Sequence, residues 1–180
     1  ASIAAAAWLR EAGIAKQAVV SIEKGLPLAG GLGGSAASSV GGALAACLAA
    51  GHRADQNAII AAALEGESAV AGRHLDNIGA CVTGGLALCR SVEPIDVIGI
   101  PIAAAWTIVL LSPRVRIETK QSRSILPRAW ENALWIQQMA NTSALVHAFA
   151  TGDAELLRRS LDDRFAEPVR ASLIPNFFEV

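Results

Sequence analysis

The segment Pro27-Leu28-Ala29-Gly30-Gly31-Leu32-Gly33-Gly34-Ser35-Ala36-Ala37-Ser38 sets four glycines and then Ser35 between an alternating apolar stretch and a long run of small residues. Glycine takes positive φ without steric cost and lets a ligand approach the main chain. A glycine-rich loop that opens a helix presents free N–H groups at the positive end of the helix dipole, a cradle whose commonest guest is phosphate. The competing reading is a Gly/Ala turn that only packs tightly. His74, Asp76 and Asn77 crowd polar side chains before an apolar segment. Such a loop can orient a hydroxyl for attack on phosphorus, although His74 taken alone reads as a capped loop histidine. Thr119 and Arg123 lie about one helical turn apart and face one side. Arg123 offers a two-pronged donor for a carboxylate. Glu67 and Arg170, taken alone, read as a solvated helix acid and a surface cation.

The elements that must position these groups follow from periodicity and punctuation. Residues 3–12 read as a helix ended by Gly13. Residues 18–23 alternate and are rich in valine and isoleucine, which predicts a strand. After the glycine loop a helix is expected over 35–50, ending at Gly51. Asp55 caps the next, over 56–64 and onward towards Ala71. Residues 72–78 form a polar interruption. Strands are expected over 82–88, 97–100 and 107–111, with a domain boundary near 100–106. Thereafter the pattern gives a polar helical turn over 119–126 stopped by Pro127. It then gives a long amphipathic helix over 130–150, with Leu134, Met139 and Leu145 inward. A further helix spans 154–165, where Arg158/Asp162 and Arg159/Asp163 sit at i,i+4 spacing on a solvated face.

Composition narrows the class. The chain has 180 residues, 53% hydrophobic, with formal net charge -1, a pI near 6.3 and mean hydropathy +0.42. A sizeable core is possible, rich in alanine and glycine, which favours close helix packing. No basic excess points to nucleic acid or an anionic membrane. Cys47, Cys81 and Cys89 show neither metal-ligand nor redox spacing and read as buried thiols of a reducing compartment. Residues 1–9 are apolar but lack a leading positive region. The run 35–50 is too short and glycine-rich for a membrane span. A soluble, cytoplasmic protein is expected. The chain opens in a helix and ends at Phe178-Glu179-Val180 without a closing element, which reads as a cut through a larger protein.

Three kinds of phosphate loop compete. The nucleotide-triphosphatase loop ends in Gly-Lys-Ser/Thr, and Gly33-Gly34-Ser35 has no lysine. Gly31-x-Gly33-x-x-Ala36 formally matches the dinucleotide fingerprint, with Asp55 near the place of a ribose-binding acid. That motif needs a strand running straight into its first glycine, whereas Lys24, Gly25 and Pro27 intervene and Asp55 opens a helix. The third is the Pro-x-x-x-Gly-Leu-Gly-Ser-Ser-Ala-Ala signature of the GHMP family of small-molecule kinases. The chain resembles it at Pro27, Gly31, Leu32, Gly33, Ser35, Ala36 and Ala37. Gly34 replaces the first serine of the pair and leaves Ser35 as the nearby hydroxyl. Later blocks resemble the homoserine kinases of that family. They are Glu65-Gly66-Glu67 with His74-Leu75-Asp76-Asn77, Gly84-Gly85, residues 117–127 ending in Leu126-Pro127, and Glu167-Pro168-Val169-Arg170.

The resemblance implies an α+β protein of the GHMP kinase fold. A ribosomal-protein-S5-domain-2-like N-terminal domain (1–103) is followed by a ferredoxin-like C-terminal domain (104–180), both incomplete. It implies ATP and Mg²⁺, with L-homoserine as the small-molecule substrate, phosphorylated on its side-chain hydroxyl as a step of threonine biosynthesis. Pro27, Gly30, Gly31, Leu32, Gly33, Gly34, Ser35, Ala36 and Ala37 would hold the nucleotide, and Glu67 with Ser35 the metal. Asn77 would meet the attacking hydroxyl, and Asp76 would contact the substrate or act as a weak base. His74 would contact the substrate, Thr119 would steady the hydroxyl or a phosphate, and Arg123 and Arg170 would grip the substrate carboxylate. Another small alcohol as substrate, or an inactive binding or assembly module, are the alternatives. Apolar surface left by missing strands is expected to drive self-association, at its simplest a homodimer.

Overall fold

The computed structural model describes residues 1–15, 17–26, 31–103, 106–111, 115, 117 and 119–179. Of the expected site residues, Pro27, Gly30 and the side chain of Thr119 lie outside that description. The chain divides into two compact units, Ala1–Gly99 and Ile100–Val180.

The first unit is built on three helices that pack on one another: α1 (Ser2–Glu11), α2 (Gly34–Ala49) and α3 (Gln56–Ser68). Alanines make the contact close. Ala4, Ala43 and Ala63 are fully buried, as are Ile60 and Cys47. Gly13 (φ 68) and Gly51 (φ 78) turn the chain out of α1 and α2. Each exit closes with a backbone bond from the following residue, Ile14 N–H to Leu9 and His52 N–H to Cys47, the left-handed helix ending that glycine permits. Asp55 caps α3 as the sequence indicates, accepting from the Ala58 N–H at 2.8 Å. Arg10 of α1 donates to both carboxylate oxygens of Glu65 on α3, each at 2.8 Å. Ile60 is, with Ile78, among the largest fully buried side chains of the described residues. Ile60→Ala is therefore expected to cost roughly 2–5 kcal/mol, read as a lower midpoint in urea unfolding.

A shorter helix, α4 (Asp76–Thr83), contacts α2 and α3 and leads into β1 (Leu86–Ser91), which pairs with β2 (Asp96–Ile100). The strand expected over 82–88 therefore begins later, because Val82 and Thr83 finish α4. The polar interruption at 72–78 likewise gives way to helix at Asp76.

The strands expected over 18–23 and 107–111 do not form. A strand is stable only when its backbone groups pair, and among the described residues the sheet holds β1 and β2 alone. Val20 still packs on the core while Val19 is fully exposed, so the alternation marks facing without a ladder. Residues Ile108 to Leu111 are all exposed.

The second unit carries α5 (Thr119–Ser124), α6 (Asn132–Thr151), α7 (Ala154–Ser160) and α8 (Glu167–Arg170). Two short 3₁₀ turns follow, Ala171–Leu173 and Phe177–Glu179. Leu134 and Leu145 of α6 are half-buried, but Met139 is 52% exposed, against expectation. The buried face of α6 instead includes Asn141 and Ala148. Asn141 donates to the Asp162 carbonyl at 2.8 Å and so holds the turn after α7. Asp153 caps α7, which stops at Ser160, sooner than the pattern indicates. With no helix beyond Ser160, the i,i+4 pairs read for Arg158 and Arg159 cannot form. Both arginines turn back to Glu155, Asp162 pairs with Arg164, and Asp163 accepts from the N–H groups of Phe165 and Ala166. Among the described residues no helix is long and apolar enough to cross a membrane.

Candidate active site

Gly33 is the residue before α2 and takes φ 64, ψ 22. Gly33 has no side chain with which to cap the helix, which opens the N–H groups of its first turn to a ligand. The described part of the glycine-rich segment begins at Gly31. Gly31 is also left-handed at φ 71. Lys24, which the sequence reading passed over as a residue that spoils the dinucleotide motif, donates from Nζ to the Gly34 carbonyl at 3.0 Å. Its ammonium thereby stands at the entrance to the loop. A basic residue four positions before Leu28 was the available signal, but nothing in the spacing says which way it points.

Ser35 and Ser39 lie one turn apart on α2 and face α3. Gly66 is what lets α3 come this close: a methyl group there would lie 2.7 Å from Oγ of Ser39 and 3.1 Å from Cβ of Ala4. The next residue, Glu67, is 5% exposed. Its Oε1 accepts from the Ser35 hydroxyl at 2.9 Å. Among the described residues its Oε2 is buried with no hydrogen-bonding partner. A buried carboxylate oxygen left without a partner carries a large desolvation cost, and a hard cation beside the helix start would satisfy it. The group Glu67 and Ser35 thus fits Mg²⁺. Among the described residues no cluster of three or more His, Cys, Asp or Glu side chains could hold a metal ion.

The polar loop meets the glycine loop through Asn77. A methyl group at Gly33 would lie 2.9 Å from Oδ1 of Asn77, so these two chain segments, far apart in sequence, touch. Asp76 opens α4, where a negative charge suits the positive helix end, and its Oδ1 accepts from the N–H of Asn77 at 2.8 Å. His74 stacks its ring edge by Gly72, Nε2 lying 2.9 Å from where a Cβ would be. A cavity of about 230 Å³ opens beside His74 and Asp76. A second, of about 310 Å³, lies between residues 20–26 and α2 and is bordered by Lys24, Gly34 and Ser38. A larger cavity of about 680 Å³ sits between α1 and residues 13–18, away from these groups.

In the second unit the guanidinium Nε of Arg170 donates to the carbonyl of Ser122 at 3.1 Å. Arg170 on α8 is therefore brought to the helix that carries Arg123, although the two are 47 positions apart in the chain (170 − 123). Leu32, before α2, is exposed, and in the first turns of α2 Ala36 is buried and Ala37 half-buried.

Comparison with known proteins follows the same lines. Residues 1–85 match the family model described as GHMP kinases N terminal domain. These 85 of the 180 residues are similar to the N-terminal domain of the GHMP kinases. A homoserine kinase of Chlorobium phaeobacteroides is 38% identical over 162 residues, 89% of this chain and 51% of its own length. One from Pyrococcus abyssi is 40% identical over 89% of this chain and 54% of its own. The crystal structure of homoserine kinase from Cytophaga hutchinsonii superposes with a TM-score of 0.83 at 32% identity, over 98% of this chain and 56% of that one. The chain spans about half the length of these relatives. The fold is α+β, the GHMP kinase fold, and Gly31, Gly33, Glu67 and Asn77 lie in one unit.

Proposed function

We propose that this sequence belongs to a kinase of the GHMP family that transfers the γ-phosphate of ATP to the side-chain hydroxyl of L-homoserine, a step of threonine synthesis. The observation that carries the reading is the buried Glu67 carboxylate, one oxygen on Ser35 and the other unpartnered, beside the uncapped start of α2. Relatives named homoserine kinase match across most of the chain, which supports the choice of substrate. The N-terminal unit would hold the nucleotide, and a cytoplasmic homodimer is consistent with the acidic pI and the exposed apolar side chains at 108–111.

The chain's own residues divide the work as follows. Free N–H groups at the start of α2 and the left-handed turns at Gly31 and Gly33 bind phosphate oxygens. Lys24 adds positive charge at the loop. Glu67 and Ser35 would hold Mg²⁺, which when bound neutralises charge on the nucleotide phosphates. Asn77 orients the homoserine hydroxyl. The hydroxyl oxygen then bonds to the γ-phosphorus as the bond to the β,γ-bridging oxygen breaks and ADP leaves. Asp76 contacts the substrate or takes the hydroxyl proton as a weak base, and His74 helps fix the amino acid. Arg123 and Arg170 would hold the substrate carboxylate, and Thr119 would steady the hydroxyl or a phosphate. Positioning and charge stabilisation supply most of the rate enhancement in such transfers.

The test is ATP- and Mg²⁺-dependent formation of O-phosphohomoserine, by this chain and by a protein of the length of its relatives. Activity in the longer protein supports the reading. Two folded but inactive proteins would direct attention to other small alcohols. Within the active protein, Arg123→Ala is expected to raise the KM for homoserine by on the order of 10²-fold, the loss of a charge-assisted carboxylate contact. The KM for ATP should stay within about twofold. Equal weakening of both, in steady-state kinetics, would remove Arg123 from the amino-acid site.

A further inference from the structure

We propose that Cys89 is a positioning residue for the candidate substrate loop: its thiol sets the first turn of α4 and so the placement of Asp76 and Asn77. The inference rests on reading those two residues as substrate contacts.

Cys89 lies on β1, half-buried. Its thiol donates to the carbonyl of Leu75 at 3.3 Å. Leu75 is the residue before α4 and has no side-chain group to cap it. The same carbonyl accepts the N–H of Gly79, at 2.6 Å, the bond that closes the first turn. Gly79 then sits on the same sulfur. A methyl group there would lie 2.6 Å from Sγ of Cys89 and 3.0 Å from Cγ1 of Val97. β1 and β2 therefore form a floor, and α4 rests on it at a residue with no side chain.

On the other side of that turn Asn77 meets Gly33. The contacts run in series: sulfur, first turn of α4, Asn77, glycine loop. Burial raises the pKa of the Cys89 thiol and the Asp76 carboxylate raises it further, so the sulfur keeps its proton and remains a donor near neutral pH. The cavity of about 230 Å³ bordered by His74, Asp76 and Cys89 gives the turn room to shift when the sulfur is removed. The sequence showed Cys89 only as one of three unremarked thiols.

The experiment compares Cys89→Ala with Cys89→Ser in the full-length protein. Alanine removes the donor and part of the floor, whereas serine keeps a donor to Leu75. With alanine the kcat for homoserine is expected to fall about fivefold or more, the scale of one lost hydrogen bond, with the KM for ATP unchanged. Serine is expected to restore most of that loss. In parallel, amide hydrogen exchange at Asn77 and Gly79 should quicken with alanine while that of Ile60 in α3 stays slow. The exchange readout needs no turnover, so absence of homoserine phosphorylation in the unaltered protein would remove the substrate reading and leave the positioning test intact. Alanine and serine behaving alike in both readouts, or an ATP KM that moves in step with kcat, would overturn the proposal.

Discussion

Glu67→Gln is expected to lower kcat by on the order of 10²–10³-fold, the scale on which one placed electrostatic group acts in a water-poor site. The substitution keeps the shape and exchanges a carboxylate oxygen for an amide. Glu67 is 5% exposed, and its unpartnered Oε2 is the group that would face the cation. Glutamine supplies no charge there, so the Mg²⁺ concentration required for half-maximal rate should rise as well. The Ser35 hydroxyl, now donating to Oε1 at 2.9 Å, still finds an amide oxygen. The fold is therefore expected to hold, with a circular-dichroism melt close to that of the unaltered protein. Steady-state rates across a Mg²⁺ titration decide the matter. An unchanged titration curve would show that the carboxylate serves only to brace Ser35.

Gly33→Val carries the second large effect. Gly33 has φ 64, a region that costs an L residue roughly 1–2 kcal/mol and a β-branched one more. Any Cβ would also stand 2.9 Å from Oδ1 of Asn77. The loop must then change its path or push Asn77 away. Either response disturbs the start of α2 and the polar loop together. ATP binding, read by calorimetry or a fluorescent analogue, is expected to weaken by at least tenfold, and the KM for homoserine should rise with it. Gly33→Ala should show the same pattern to a smaller degree. Because α2 is held by its contacts with α1 and α3, the unfolding midpoint should move far less than the affinity does. Retained ATP affinity in the valine variant would mean that the loop does not cradle phosphate through Gly33.

Helix positions were largely legible because alanine-rich amphipathic runs, Asp55 at the start of α3, and glycines at 13 and 51 act locally. Their hydrogen bonds close within a few residues, so the pattern alone carries them. Strands were less legible. Residues 18–23 and 107–111 have the composition of strands, but a ladder needs a second segment, and composition does not reveal whether one is present. The same limit applied to charges. The spacing of Arg158 with Asp162 assumed a helix that continued, and the chain turned at Ser160 instead.

The sequence by itself determined the glycine loop, the helix that follows it and the residue types that phosphoryl transfer requires. Those depend on φ preferences and on local spacing. Only the tertiary structure decided that Gly66 brings Glu67 to Ser35, that Asn77 rests against Gly33, that Arg170 reaches Ser122, and that Cys89 holds the start of α4. Each of these joins residues at least 14 positions apart, and such contacts follow from how helices and strands pack, which no local pattern specifies.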